Sequence, residues 1–484
     1  MRILIASSEA VPYAKTGGLA DVAGALLQEY RRKRLKASLI LPLYESIRNN
    51  FKLHPTGRSF SLRLGDNTLA GNIWTSDRAA TPAAYFIECD SLYARKELYG
   101  TPAGDYLDNA LRFAFYSRAV LETCAVMGIK PDIIHCNDWQ TGLVPVFLRD
   151  FYRSSTQFKD TATLFTIHNL GYQGLFSADE LPATGLGTDY FTPEKIEFYG
   201  MVNFMKAGLV YSDILSTVSR TYAAEILEKE NGFGLDGVLR ARRDDLYGIP
   251  NGIDYGEWDP SVDKLVPFKY GPGNAGAGKA RCKKILAAQT GLADTQAPLF
   301  GIVGRLSSQK GMDLIVDSLE ELLSLGLNII VLGRGEAYYH RLLEDAAKRH
   351  PGKLYVKVGF EEPLARLIYA ASDFFLMPSR YEPCGLGQLI ALKYGSIPVV
   401  RKTGGLADTV VDYDHLQSTG TGFLFTDYIR SSLASAVKRA LCVFSDRKKT
   451  GGLRLDAMKA DFSWNRSADE YLDLYRLAIR RTSG

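Results

Sequence analysis

The chain has 484 residues, 46% hydrophobic and 23% charged, with a formal net charge of +4. That length allows two or three domains with cores of their own, and so mild a charge excludes a nucleic-acid binder held by a broad basic face. Six scattered cysteines without a CxxC pair exclude a disulfide framework and a cysteine zinc site; with no apolar run of membrane-spanning length and no leader ahead of "MRILIAS", they predict a cytoplasmic protein that does not meet a membrane.

In chain order, "RILIAS" predicts a buried strand, followed by a loop that ends in "KTGG" and by a helix. Leu19, Val22, Ala23, Leu26, Leu27 and Tyr30 share one face of that helix. The basic run "RRKR" at 31–34 is its solvated end. The runs "ASLILP", "PDIIHCND", "TLFTIHN" and "DILSTVS" predict further buried strands, with helical stretches such as "NALRFAFYSRAVLETCAVMG" between them. A Gly/Pro/Asn-rich joint, "YGIPNGIDYGEWDP", precedes a second series: "PLFGIVGRL", "LNIIVLGRG", "LYVKVGF", "DFFLMPS", "SIPVVR" and "TGFLFTD", again alternating with amphipathic helices. Continuous Val/Ile/Leu strands alternating with helices mean parallel sheets covered on both faces. The expected fold is therefore α/β, with two doubly wound Rossmann-like domains facing a deep cleft. The first covers residues 1–246 and the second 247–461, and a last helix, 462–484, crosses back to the first.

The heptad "KTGGLAD" occurs twice, at 15–21 and 402–408, each time after a strand and before a helix. A Gly-Gly turn that opens a helix lets backbone N–H groups approach an anion, and the lysine adds a charge. Tight βα turns of an ordinary kind would read the same way. A near match to a phosphate loop, "GNAGAGKA" at 273–280, carries Ala280 where a metal-binding hydroxyl belongs and follows no buried strand. It reads as a flexible loop before the helix "KARCKKILAAQTG". Other polar clusters follow predicted strands: "HCNDWQTG", "TIHNLGYQG", "GRLSSQKG" and "SRYEPCGLGQ". Arg305 and Lys310 form a cation pair suited to a diphosphate leaving group, although either alone could be a surface charge. Glu382 could hydrogen-bond sugar hydroxyls or cap its own turn. Neither His135 nor His168 has metal-ligand spacing, and His168-Asn169 at a strand end is a better site candidate than His340 or His350, which lie in a polar helix. The residues by themselves define a two-domain enzyme acting on a phosphorylated or nucleotide-linked substrate.

Taken together and in order, "KTGGLADV", "HCNDWQTGL", "TIHNLGYQG", "IPNGID", "GRLSSQKG", "SRYEPCGLGQL" and the second "TGGL" resemble the bacterial-type glycogen synthases, a glucosyltransferase family shared with the plant starch synthases. The resemblance spans nearly the whole chain. It implies a GT-B fold and transfer of glucose from ADP-glucose to the non-reducing end of an α-1,4-glucan, with retention and with neither a metal nor another cofactor. By the same resemblance, Lys15, Gly17 and Gly18 form a donor-phosphate turn, and Arg305 and Lys310 hold the diphosphate. Asp138, His168 and Asn169 line the donor glucose, with His168 acting through its backbone carbonyl. Glu382 contacts the sugar, and the turn Cys384, Gly385, Leu386, Gly387 supplies N–H groups. Asn251 belongs to the donor site, and Phe360 stands where the family often has a tyrosine stacked on the base.

Two departures are visible. Ile390 stands where related retaining transferases have a second glutamate, a position at which glycogen synthases also depart, so no second carboxylate is available as a nucleophile. Gly387 stands where bacterial members often carry threonine. A same-face displacement follows, in which the acceptor hydroxyl attacks as the diphosphate leaves, with domain closure about residues 246–252 to exclude water. Three rivals are weaker. A sugar-nucleotide epimerase or another transferase of this fold would need a different acceptor region. A pyridoxal-phosphate phosphorylase would have only Lys393 near the Glu382 loop, and a dead glucan-binding protein should have lost Arg305, Lys310 or Glu382.

Overall fold

The computed structural model describes residues 1–79, 82–101 and 104–483. The chain divides into two compact units. One contains Met1–Val218, Ala223–Ile249 and the C-terminal helix Trp464–Ser483; the other contains Ser219–Tyr222 and Pro250–Ser463.

The strands of the first unit are β1 (Arg2–Ala6), β2 (Lys36–Pro42), β3 (His54–Leu64), β4 (Asn67–Thr75), β5 (Ala84–Glu88), β6 (Gly100–Thr101), β7 (Gly104–Asp105), β8 (Ile133–Asn137), β9 (Ala162–Ile167), β10 (Leu175–Ser177), β11 (Glu197–Phe198), β12 (Met201–Asn203), β13 (Ile214–Thr217) and β14 (Leu246–Gly248). Nine of them form one sheet in the order β14-β13-β9-β8-β1-β2-β5-β4-β3. It is parallel from β14 to β5. Strands β1, β2, β8, β9 and β13 are buried along nearly their whole length, as continuous apolar runs require when helices cover both faces. The hairpin β3–β4 extends the sheet antiparallel. Its pattern differs: Phe60, Leu62 and Leu64 are buried, while Ser59, Ser61 and Arg63 face solvent, the period of two of a half-covered edge.

Helix Gly18–Arg32 buries all six residues of the expected face, and Arg31 and Arg32 stand in its last turn. The C-terminal helix is tied to the sheet by buried hydroxyls. The Tyr30 hydroxyl bonds that of Tyr475 (3.0 Å), Tyr475 bonds His135 Nδ1 (2.8 Å), His135 Nε2 bonds Thr166 Oγ1 (2.6 Å), and Thr166 bonds Ser216 (2.6 Å). Burial pushes the His135 pKa down to about 3, so this ring is a neutral structural link.

The second unit has one parallel sheet of β15 (Leu299–Val303), β16 (Asn328–Gly333), β17 (Leu354–Val358), β18 (Phe374–Met377), β19 (Ile397–Arg401) and β20 (Phe423–Phe425). Its order is β17-β16-β15-β18-β19-β20. Two apolar clusters cover it, one holding Phe300, Ile329, Val331 and Leu376, the other Leu299, Ile330, Leu332 and Phe375. The alternation of residues between clusters is the signature of a doubly wound sheet.

One expectation is corrected here. The stretch 273–280 is no flexible loop, because helix Ala275–Thr290 already runs through it. Lys279 is buried, and its ammonium lies 3.1, 3.1 and 2.9 Å from the carbonyls of Tyr369, Ala370 and Tyr394 and 2.9 Å from the Ser396 hydroxyl. A Cβ at Gly278 would stand 2.5 Å from the Tyr270 side chain. The glycine and the lysine of the apparent phosphate loop are thus packing residues.

Candidate active site

Each main sheet reverses its winding once. In the first unit the reversal lies between β1 and β8, and in the second between β15 and β18. Loops leaving the carboxyl ends of strands at such a point splay apart and leave room for a ligand. The motif residues fall there in both units.

In the first unit, the loop after β1 carries Glu9, which is 4% exposed. Its carboxylate accepts the Thr16 backbone N–H, the Thr16 hydroxyl (2.8 Å), the Gly17 N–H (3.2 Å) and the Tyr99 hydroxyl (2.8 Å). A carboxylate on the N–H groups ahead of a helix satisfies donors that have no partner in the helix itself. Lys15 is exposed, with its ammonium 2.7 Å from Asp21 Oδ1. Gly17 has open space where a Cβ would be.

After β8, Asp138 adopts φ 56° and ψ −179°, a region open mainly to glycine and costing about 1–3 kcal/mol elsewhere. Its surroundings over-determine it. Its N–H bonds the Thr166 carbonyl (3.0 Å), its carbonyl accepts from Thr141, and its carboxyl accepts the backbone N–H groups of His168 (2.7 Å) and Asn169. Burial raises the Asp138 pKa to about 7, against these bonds and with a smaller push from Glu9. Asn137 Oδ1 lies 2.9 Å from His168 Nε2, so Nε2 carries the proton. Burial holds the His168 pKa near 3, leaving the ring neutral. The loop that follows is seated on Trp139, whose ring lies 2.4 Å from where a Gly174 Cβ would be.

In the second unit, Arg305 and Lys310 follow β15 and Glu382 follows β18. Glu382 is 4% exposed. Its oxygens lie 2.7 and 2.5 Å from the Lys310 ammonium, and Ser379 Oγ donates to it at 3.0 Å. An ammonium has three N–H donors, so one remains for another acceptor. Arg305 is exposed at the strand end. Asn251 is buried; its N–H bonds the Cys384 thiol, whose pKa burial raises to about 12, and its Oδ1 has no hydrogen-bond partner. Phe360 is 83% exposed. The turn Cys384, Gly385, Leu386, Gly387 leads into helix Gly387–Lys393. A Cβ at Gly387 would stand 3.2 Å from both Met377 and Phe375, so these neighbours leave little room for a threonine. Lys393, the lysine that a pyridoxal cofactor would have needed, is 2.9 Å from Asp259, and the lysine brought onto the Glu382 loop is Lys310.

The second KTGGLAD differs in its partners. A Cβ at Gly404 (φ 43°) would lie 1.9 Å from the Glu382 carbonyl oxygen, and one at Gly405 2.0 Å from that of Cys384. The Gly405 N–H donates to the Glu382 carbonyl (3.0 Å). Asp408 caps a distant segment instead of a lysine, accepting from the N–H groups of Arg220 (2.5 Å) and Thr221 (3.2 Å) and from the Thr221 hydroxyl (2.6 Å). The helix that follows is only Gly404–Thr409. This copy is the floor beneath the Glu382 turn.

The structure thus groups Asp138, His168 and Asn169 on one unit, and Lys310, Glu382, Asn251 and Cys384 on the other. Glu9 and Asn137 belong to the first of these groups although no motif spacing singles them out. The signal for Glu9 was an acidic residue just past an apolar strand and ahead of a glycine turn.

Two doubly wound parallel sheets, each with polar residues at its switch point, together with the match of residues 285–449 and the structural likeness given below, place the chain among glycosyltransferases of the GT-B class. Residues 2–241 match the starch synthase catalytic domain family and residues 285–449 the glycosyl transferases group 1 family. Glycogen synthase of Syntrophotalea carbinolica is 46% identical over 99% of both chains, and that of Thermodesulfovibrio yellowstonii 43% identical over 98% of this chain and 97% of the relative. The catalytic domain of starch synthase IV from Arabidopsis thaliana, bound to ADP and acarbose, superposes with a TM-score of 0.90 at 33% identity over 99% of both chains. The chain belongs to the glycogen and starch synthase family of glucosyltransferases.

Proposed function

We propose that this enzyme transfers glucose from ADP-glucose to the non-reducing end of an α-1,4-glucan, with retention of configuration and without a metal ion or other cofactor. The observation that carries the reading is the buried Glu382 carboxylate bonded to the Lys310 ammonium at the switch point of the second sheet. Support comes from relatives named glycogen synthase and a structural neighbour, a starch synthase, bound to ADP and acarbose.

On the second unit, the third N–H of Lys310 and the guanidinium of Arg305 take the diphosphate oxygens, where charge grows as the bond breaks. Glu382 accepts hydrogen bonds from the sugar, the Cys384–Gly387 turn offers N–H groups, and the orphan Asn251 Oδ1 accepts a donor hydroxyl. Phe360 offers its face to the base. On the first unit, Lys15 with Gly17 and Gly18 serves the diphosphate, while Asp138 and Asn169 hold the turn that presents the His168 carbonyl to the sugar. The C1–phosphate bond breaks, the acceptor O4–C1 bond forms on the same face, and the O4 proton passes to a phosphate oxygen. A retaining glycosidase would instead need two carboxylates about 5 Å apart, and position 390 is isoleucine.

The test offers the purified enzyme ADP-glucose and UDP-glucose together, with maltotriose as acceptor. ADP-glucose should be consumed first, the product should be lengthened by α-1,4-linked glucose, and EDTA should leave the rate unchanged. A β-linked product, loss of activity in EDTA or a preference for UDP-glucose would overturn the corresponding part.

A further inference from the structure

A cavity of about 550 Å³ opens at the amino ends of β1 and β2 in the first unit, a volume in the range of small-molecule sites. The candidate site of this unit lies at the carboxyl ends of the same sheet. Strand β1 is five residues long, so about 16 Å separate the two. The floor of the cavity is apolar: Leu4, Pro82 and Pro131 are buried and line it together with Met127.

The rim is cationic. Arg2, Lys36, Arg78 and Lys130 line it and are exposed. Among the described residues none of these four side chains meets a carboxylate; Arg78 Nε donates to His54 Nδ1 at 3.3 Å. The acid that lines the cavity, Asp77, is taken up by its own turn. It accepts from Ser76 Oγ (2.9 Å) and from the N–H groups of Ala79 (2.9 Å) and Ala83 (3.0 Å). The carboxyl end of helix Asn109–Met127 also reaches the cavity, but a helix end carries only about half a negative charge. Four like charges around one apolar floor repel one another, and folding gains nothing from gathering them.

A second observation lies on the floor. Tyr85 lines the cavity and is 4% exposed, and among the described residues its hydroxyl has no hydrogen-bond partner. A buried hydroxyl left unpaired is costly and calls for a partner from outside the chain. Burial pushes its pKa up to about 12, so the phenol keeps its proton and can donate.

We propose that this cavity binds a small organic phosphate of the nucleoside monophosphate class. The phosphate sits on the rim, where the guanidinium forks of Arg2 and Arg78 match its oxygens. The flat base lies among Leu4, Pro82 and Met127, and a polar edge of the base meets the Tyr85 hydroxyl. Inorganic phosphate would leave the floor unfilled, and an uncharged nucleoside would leave the rim unpaired. The inference does not depend on the reaction proposed above.

The test is calorimetric titration of AMP into four full-length proteins: the wild type, Lys310→Ala, the rim variant Lys36→Glu with Arg78→Glu, and Tyr85→Phe. Lys310→Ala alters the donor site and should keep the cavity binding of the wild type. The rim variant should weaken it by about tenfold or more and Tyr85→Phe about fivefold. In both cavity variants kcat and KM for ADP-glucose should stay within twofold. AMP binding that vanishes in Lys310→Ala and persists in both cavity variants would overturn the inference and assign AMP to the donor site. Absence of AMP binding by the wild type would overturn it too. Inorganic phosphate or adenosine binding as tightly as AMP would overturn the nucleoside monophosphate class. If the rim variant melts well below the wild type, Tyr85→Phe decides, since it removes one oxygen and keeps the ring: unchanged AMP affinity there overturns the inference, and a several-fold loss upholds it.

Discussion

At Asp138 the carboxyl is used for architecture and is also poised to titrate. It keeps its proton to about pH 7 in the folded chain, against an ordinary value of 3.8. Between these values the folded state binds more protons than the unfolded one, so the contribution of this residue to stability is greatest below about pH 4 and declines as pH rises to 7. Asp138→Asn should flatten that decline. Urea unfolding of both proteins at pH 5 and pH 7.5 should show the difference narrowing or reversing in favour of the variant by about 1–3 kcal/mol; parallel pH curves would mean an ordinary carboxylate. Lys310 makes a second, sharper case. Its ammonium bonds Glu382 before any donor arrives, so it is already positioned when charge develops on the leaving group. Lys310→Ala should lower kcat about 10²-fold, with a smaller loss of stability because the ammonium is a quarter exposed. Full turnover at saturating donor with only a raised KM would remove its role in the transition state.

At the level of elements, two identical heptads do different work. In the first copy the Gly17 Cβ position is open and Lys15 is held loosely at the surface. In the second, both glycines press against the backbone that carries Glu382 and Cys384. Gly17→Ala should therefore leave Tm unchanged. Gly404→Ala should lower it by several degrees, since a residue with a Cβ is strained at φ 43° and meets a carbonyl oxygen. Lysine substitutions should reverse the order. Lys15→Ala should weaken donor use strongly, whereas Lys402→Ala should cost under tenfold in kcat/KM, less than about 1.4 kcal/mol. Thermal melts and one donor titration of the four variants separate the outcomes, and equal losses for the two lysines would make the second copy another phosphate site.

For the whole molecule, each unit has its own sheet, core and switch point, and the polar motifs fall at the carboxyl ends of the central strands in both. Among the described residues no helix is long and apolar enough to cross a membrane. All six cysteines are free thiols; Cys442 is exposed and Cys89, Cys124, Cys136, Cys282 and Cys384 are buried. Burial raises the pKa of each of these five, and the thiolate is the reactive form. Native protein treated with a thiol reagent near neutral pH should lose one equivalent quickly and five only on unfolding. Several fast equivalents would mean that buried segments open readily.

The strand runs, the helix face from Leu19 to Tyr30 and the order of the motifs were determined by the sequence alone, because periodicity and loop chemistry are set by near neighbours. So was the family, which rests on seven motifs in one order. The β3–β4 edge had its signal too, in the alternation of Phe60, Leu62 and Leu64, but a single short period does not say against which sheet it packs. Tertiary structure alone decided the rest. Glu9 reaches Thr16 and Gly17 only because the loop after β1 folds back on itself. Asp21 and Asp408 occupy the same place in the same heptad, yet one meets Lys15 and the other Thr221. Lys279 looks like a phosphate ligand in "GAGKA" and is a buried donor to three carbonyls. In each case the partner lies on another loop or strand, and which partner a side chain meets is fixed by the path of the chain and not by the residues beside it.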